Sequence, residues 1–206
     1  MKRLIPCALE YRCNMNLLTE EEGKAALRLA REAIETYLKS GKRIKPNLSG
    51  CFKEKSGVFV SIHKNGELRG CIGHPYPNLP LGEAIVDAAI SAATSDPRFE
   101  PIRIDELDKL KLEVTVLSPM ELIKAKPKDL PKEIIIGKHG LLVKKGIYSG
   151  LLLPQVPVEQ CWDAEEFLSY TCLKANLPPD AWWDEDTKIY RFAGQIFSEG
   201  EHCHAL

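Results

Sequence analysis

The dipeptide Asn65-Gly66, set between two apolar runs, constrains this chain more than any other feature. A two-residue hairpin loop of type I′ needs φ > 0 at both central residues, and Asn and Gly tolerate that best. The expected hairpin pairs residues 57–63 with 67–73. A tight turn fixes the register, and the register fixes the faces, because successive strand side chains point to opposite sides. An uninterrupted ladder sets Val60 and Ile62 beside Cys71 and Arg69 on one face. Phe59, Leu68 and Ile72 take the other. Apolar residues on both faces read as a hairpin covered on both sides.

The second strand contains Leu68-Arg69-Gly70-Cys71-Ile72-Gly73. Alternation puts Glu67, Arg69 and Cys71 on one side. A guanidinium close to a thiol favours the thiolate, which is the nucleophilic form. Gly70 and Gly73 leave the backbone bare for a close approach. Cys71 has two readings here, a reactive thiol or a small core filler, the commonest fate of a free cysteine. A buried Arg69 requires a carboxylate or carbonyl oxygens around it. Glu113, on the β-rich run of residues 111–117, is the first expected partner.

Composition narrows the class. With 28 basic and 29 acidic residues the net charge is −1, which disfavours a dedicated nucleic-acid binder. No apolar run reaches the length of a membrane span. The apolar patch after Lys2 and Arg3 is cut short by Glu10 and Arg12, too early for a signal-peptide core. Seven cysteines, without Cys-x-x-Cys spacing, read as a reduced, cytoplasmic protein.

Further elements follow from local signals. Thr19 and Glu22 form a capping box, followed by a helix to about residue 39 with Gly41 beyond it. Residues 81–94 read as a helix apolar on most sides, closed by Asp96-Pro97. Residues 111–117 alternate as a strand. Residues 119–132, rich in proline and lysine, read as a solvated connection. Strands are expected at 133–136, 141–144 and 147–153, a helix capped by Asp163 and Glu166, and a last strand at 188–197. This order indicates α+β with largely antiparallel sheet.

With these stretches in place, the hexapeptide resembles the signature of the AMMECR family. Gly57-Val58-Phe59-Val60, Ser95-Asp96-Pro97-Arg98-Phe99, Leu112-Glu113-Val114-Thr115-Val116-Leu117 and His139-Gly140 recur in the family's order. Leu153-Pro154-Gln155-Val156 follows, then Glu159 and Trp162. The resemblance spans residues 17–198, as a single domain with two α/β lobes. Residues 1–16 form an N-terminal extension and 199–206 a polar tail. It implies a two-lobed fold of largely antiparallel sheets flanked by helices, with a cleft near the hexapeptide. It implies no assigned reaction and no known cofactor. It points to MEMO-like and radical-SAM proteins as partners, although this chain lacks the Cys-x3-Cys-x2-Cys cluster of the latter.

Two functions stay open. One is an enzyme with catalytic Cys71, Arg69, Glu113 and His139, acting on a small or modified substrate. His139 sits in a glycine-flanked turn, where an ordinary exposed residue is the plainer reading; Glu113 has the same plain alternative on a wet strand face. Asp96 and Arg98 bracket the expected cleft, or are simply a cap and a surface charge. Gln155 and Glu159 lie where a polar group reaches a pocket. With Gly70 and Gly73 these four are the binding candidates. The other function is a non-catalytic module whose cleft holds a protein partner or a nucleic-acid segment. No metal site is expected, since His202-Cys203-His204 lacks a second pair of ligands. His63, sharing a face with Phe59, reads as structural.

Overall fold

The computed structural model describes residues 18–200. They form two compact units. Among the described residues, the first comprises 18–114 together with 197–200, and the second runs from Thr115 to Ile196. The architecture is mixed α/β, antiparallel sheet flanked by helices, as the order of local signals indicates.

The first unit opens with α1 (Glu20–Ser40). Thr19 Oγ1 accepts from the Glu22 N–H at 3.2 Å, and the Glu22 carboxylate accepts from the Thr19 N–H at 2.8 Å, which satisfies two orphan donors. Gly41 ends the helix at φ 69°. The strands β1 (Val58–Lys64) and β2 (Glu67–His74) form the hairpin, with Asn65 and Gly66 at φ 55° and 86°. α2 (Leu81–Thr94) packs on both strands and on α1. Its alanines bring it close: a Cβ on Gly70 would run into the carbonyl oxygen of Ala92. β3 (Leu110–Leu117) lies beside β1, leaving β2 as an outer strand.

The hairpin register departs from the expected one. Lys64 pairs with Glu67 and His63 with Leu68, as the tight turn demands, but Ile62 then pairs with Gly70. Arg69 has no opposite number, and the ladder beyond it slips by one residue. Ser61 therefore faces Cys71 and Val60 faces Ile72. A bulge residue exchanges the faces of everything past it. Val58, Val60 and Ile62, all with 0% exposure, share the face of Gly70 and Ile72 under α2. Phe59, Ser61 and His63 join Cys71 on the opposite, half-buried face. The expected grouping of Val60 and Ile62 with Cys71 is thus reversed, and Glu67 leaves the Cys71 side.

In the second unit, β5 (His139–Lys145) lies between β6 (Tyr148–Leu152) and β7 (Lys188–Ser198), and β4 (Glu121–Leu122) pairs with β7. α3 (Gln155–Glu159) and α4 (Ala164–Lys174) follow β6. Asp163 and Glu166 cap α4 reciprocally. Phe167, Leu168, Cys172 and Trp182 centre the core with Leu141, Val143 and Ile189. Residues 133–136 are not a strand. Pro127–Glu133 is a 3-10 turn, and Gly137 at φ 81° folds the chain back, so the Ile135 carbonyl takes the His139 N–H.

Candidate functional site

The hexapeptide occupies an outer strand, so one row of its backbone groups faces away from the sheet. Such an edge needs closing. The Cys71 N–H donates to Asp96 Oδ2 at 2.8 Å, and the Cys71 carbonyl accepts from Arg98 Nη2 at 3.2 Å. The loop after α2 thereby takes the place of a neighbouring strand at Cys71. Asp96 is 4% exposed and carries four hydrogen bonds: Oδ2 also accepts from Arg98 Nη2 at 2.7 Å, and Oδ1 from the Arg98 N–H and Nε at 3.1 and 3.0 Å. The Arg98 guanidinium, with the two backbone N–H groups, holds the Asp96 carboxyl well below the usual carboxylate range against the opposing effect of burial. Two of the stretches that carry the family resemblance are therefore one physical unit, strand and strap.

Both outward groups of Cys71 being used at the edge makes Cys71–Ser61 a non-hydrogen-bonded pair, the kind whose side chains stand closest. Ser61 Oγ donates to Cys71 Sγ at 3.3 Å. The thiol is half-buried. Arg98 keeps a side-chain exposure of 55% even though its anchor is buried, and its guanidinium lies 5.4 Å from the Phe99 ring.

Arg69 is largely buried and paired, but not with Glu113. Nη1 donates to the Glu100 carbonyl at 2.6 Å, and Nη2 to the Pro101 carbonyl at 3.4 Å and to Glu106 Oε1 at 3.2 Å. Lys64 Nζ takes the other oxygen of Glu106 at 2.6 Å, and the Arg103 N–H shares Oε1 at 3.0 Å. Lys64 first, then the Arg103 N–H and Arg69, pull the Glu106 carboxyl down to about 2. Glu113 instead accepts from Ser198 Oγ at 3.4 Å. Sequence reasoning missed Glu106 because it lies in the 3-10 turn Ile104–Lys109, where no periodicity marks an inward position. It missed Ser61 because its pairing depends on the bulge.

The glycines serve the protein's own packing: α2 fills the open side of Gly70, and the Phe59 ring covers Gly73. His74, one residue past the hexapeptide, lies on the α2 side with Nε2 2.8 Å from Asp87 Oδ2; Arg43 Nη1 holds Asp87 Oδ1 at 2.5 Å. Arg43 first, then His74, lowers the Asp87 carboxyl.

His139, Gln155 and Glu159 belong to the second unit. His139 Nδ1 accepts from the Ile135 N–H at 3.1 Å, so the neutral ring carries its proton on Nε2 and presents a donor. Burial, then Arg191 and Lys138, push its pKa down. Gln155 and Glu159 are the exposed ends of α3. Among the described residues no three His, Cys, Asp or Glu side chains are placed to hold a metal, and no helix is long and apolar enough to cross a membrane. His202-Cys203-His204 lies outside the described residues.

An antiparallel α/β fold with a strapped Leu-Arg-Gly-Cys-Ile-Gly edge defines a class, and the comparisons give it a name. Residues 27–197 match the AMMECR1 family model, and the chain belongs to that family. It is 53% identical to Protein PYRAB00100 of Pyrococcus abyssi, over 90% of this chain and 94% of that one. It is also 53% identical to Protein MJ0810 of Methanocaldococcus jannaschii, over 91% and 94%. The crystal structure of the uncharacterized protein PH0010 from Pyrococcus horikoshii matches with a TM-score of 0.77 at 53% identity, covering 88% of this chain and 93% of that one.

Proposed function

We propose that the polar face of the β1–β2 hairpin is a thiol-dependent active site for a small anionic substrate. One observation carries it: a half-buried Cys71 thiol that receives a hydrogen bond from Ser61 beside an arginine fixed by a buried carboxylate. Cys71 is the reacting group and Ser61 donates to its sulfur. Arg98 holds the anion through Nη1, which has no partner among the described residues. Arg69 builds the face rather than reacting, since carbonyls and Glu106 occupy its guanidinium. Glu113 and His139 are assigned no step.

Limited iodoacetamide labelling of the native protein, read peptide by peptide, tests this. Burial pushes the Cys51 and Cys172 thiols up to about 11, so both stay protonated and slow near neutrality. Cys161 is exposed and supplies the reference for an ordinary thiol. Cys71 is expected to react faster than Cys161 despite its lower exposure. Labelling of Cys71 only after denaturation rules the active site out.

The saturation of Arg69 and Asp96 by internal partners favours a second reading, a rigid binding module for a protein partner. Slow Cys71 labelling with a stable partner recovered from native pull-downs supports that reading. MEMO-like and radical-SAM proteins are the partners proposed for either case. The compartment proposed is the cytoplasm, in keeping with four unpaired cysteines among the described residues.

A further inference from the structure

We infer that His63 is the proton acceptor for the Cys71 thiol, an assignment that rests on the thiol-site reading above. The bulge is what brings the two residues to one face. Without it, His63 and Cys71 point to opposite sides of the hairpin. With Arg69 unpaired, Phe59, Ser61 and His63 of β1 share the side of Cys71. Ser61 is directly opposite Cys71, and His63 is the next residue along on that side. On a regular antiparallel ladder diagonal neighbours lie about 7–8 Å apart at Cα; here the extra residue falls on the Cys71 strand, and His63 keeps its two-residue spacing from Ser61 on the uninterrupted β1.

The chemistry of the three side chains is complementary. Ser61 already donates to Sγ, as a thiolate requires. His63 is half-buried, and its ring has no hydrogen-bond or ion-pair partner among the described residues. The other two described histidines are committed elsewhere. His74 faces α2 with Nε2 on Asp87, and His139 has Nδ1 on the Ile135 N–H.

The proton of the Cys71 thiol passes to a ring nitrogen of His63. The S–H electron pair stays on sulfur, leaving a thiolate and an imidazolium. The thiolate then attacks an electrophilic carbon. With iodoacetamide a C–S bond forms, the C–I bond breaks and iodide leaves. The charged groups around this pair are Arg69 on the same face, Asp96 and Arg98 at the strand edge, and Lys64 with Glu106 beside Arg69. The carboxyls of Asp96 and Glu106 are held low and stay charged through neutrality.

The test is the rate of Cys71 alkylation by iodoacetamide in the full chain, from about pH 5 to about pH 8, the range a histidine spans. His63→Gln is expected to slow Cys71 about tenfold near neutrality and to move the rise in its rate about one pH unit upward. Cys161 should be unaffected. Superimposable Cys71 profiles overturn the assignment. If His63→Gln fails to fold, the C2-proton resonance of His63 is followed by NMR in the wild type and in Cys71→Ser. A His63 titration that moves when Cys71 is replaced supports the coupling, and one indifferent to it overturns it. Slow Cys71 in the wild-type protein removes the thiol-site reading itself, a result distinct from loss of the His63 contribution alone.

Discussion

The two faces of the β1–β2 hairpin are made on opposite terms. Under α2 the face is apolar and closed: Val58, Val60 and Ile62 are at 0% exposure, and Gly70 admits the helix backbone. The other face holds Ser61, His63, Cys71 and Arg69, all half-buried. Burial against a helix can tolerate almost any apolar set of the right volume. A half-open face of small polar groups gains little from burial, and needs positional control instead. That control comes from the edge, where Asp96 and Arg98 close the backbone of Cys71 and where Arg69 ties the bulge to Glu106.

The largest expected effect lies on the covered face. Ile62→Ala should cost about 2–5 kcal/mol by urea denaturation, through lost burial and a residual cavity. Ser61→Ala, one residue away on the other face, should stay within about 1 kcal/mol while changing the reactivity of Cys71. Equal costs for the two would erase the distinction between the faces.

Next comes the tie at the bulge. Arg69→Met and Glu106→Gln should each destabilise by about 3 kcal/mol, since each leaves a largely buried charge without its partner. The double variant should fall short of the sum by about 1 kcal/mol or more. The same cycle between Arg69 and Glu113 should be additive. Coupling to Glu113 instead would put the tie in the wrong place.

A smaller effect is expected in acid. The Glu106 carboxyl has its pKa lowered from 4.5 to about 2 in the folded state. A depressed carboxyl contributes stability above its unfolded pKa, and that contribution is lost as pH falls through the folded value. Stability should therefore decline between about pH 4.5 and about pH 2, and Glu106→Gln should flatten that decline. Asp96→Asn should flatten it too, in the same direction. The smallest effect is that of Glu113→Gln, within about 0.5 kcal/mol, because its described contact is a single 3.4 Å bond to Ser198.

What the sequence revealed was local. The Asn65-Gly66 turn, the capping boxes at Thr19 and Asp163, and the bounds of α2 each depend on residues a few positions apart. The bulge at Arg69 does not. It places a guanidinium on the carbonyls of Glu100 and Pro101 and on Glu106, more than thirty residues along the chain. No pattern within the hairpin announces it, and an ideal ladder is the reasonable default. That single residue hid Ser61 as the cross-strand partner of Cys71 and His63 as a residue of the same face. The expected strand at 133–136 failed for a similar reason. β-prone Ile134, Ile135 and Ile136 are held in a turn by the reciprocal bonds between Ile135 and His139. Asp96 and Arg98 were visible as candidates from their sequence, but their task of closing the β2 edge depends on β2 being an outer strand.

The slipped register is the point on which the polar face, the thiol site and the role of His63 all depend, and a cross-strand disulfide measures it directly. A non-hydrogen-bonded pair on an antiparallel ladder brings Cα atoms within the separation that a disulfide spans. Two variants, Ser61→Cys and Val60→Cys, are oxidised in the native state and mapped by non-reducing peptide mass spectrometry. The slipped register predicts a bond to Cys71 from position 61 and none from position 60. A bond from position 60, with position 61 left free, would mean an unbroken ladder and would contradict the account.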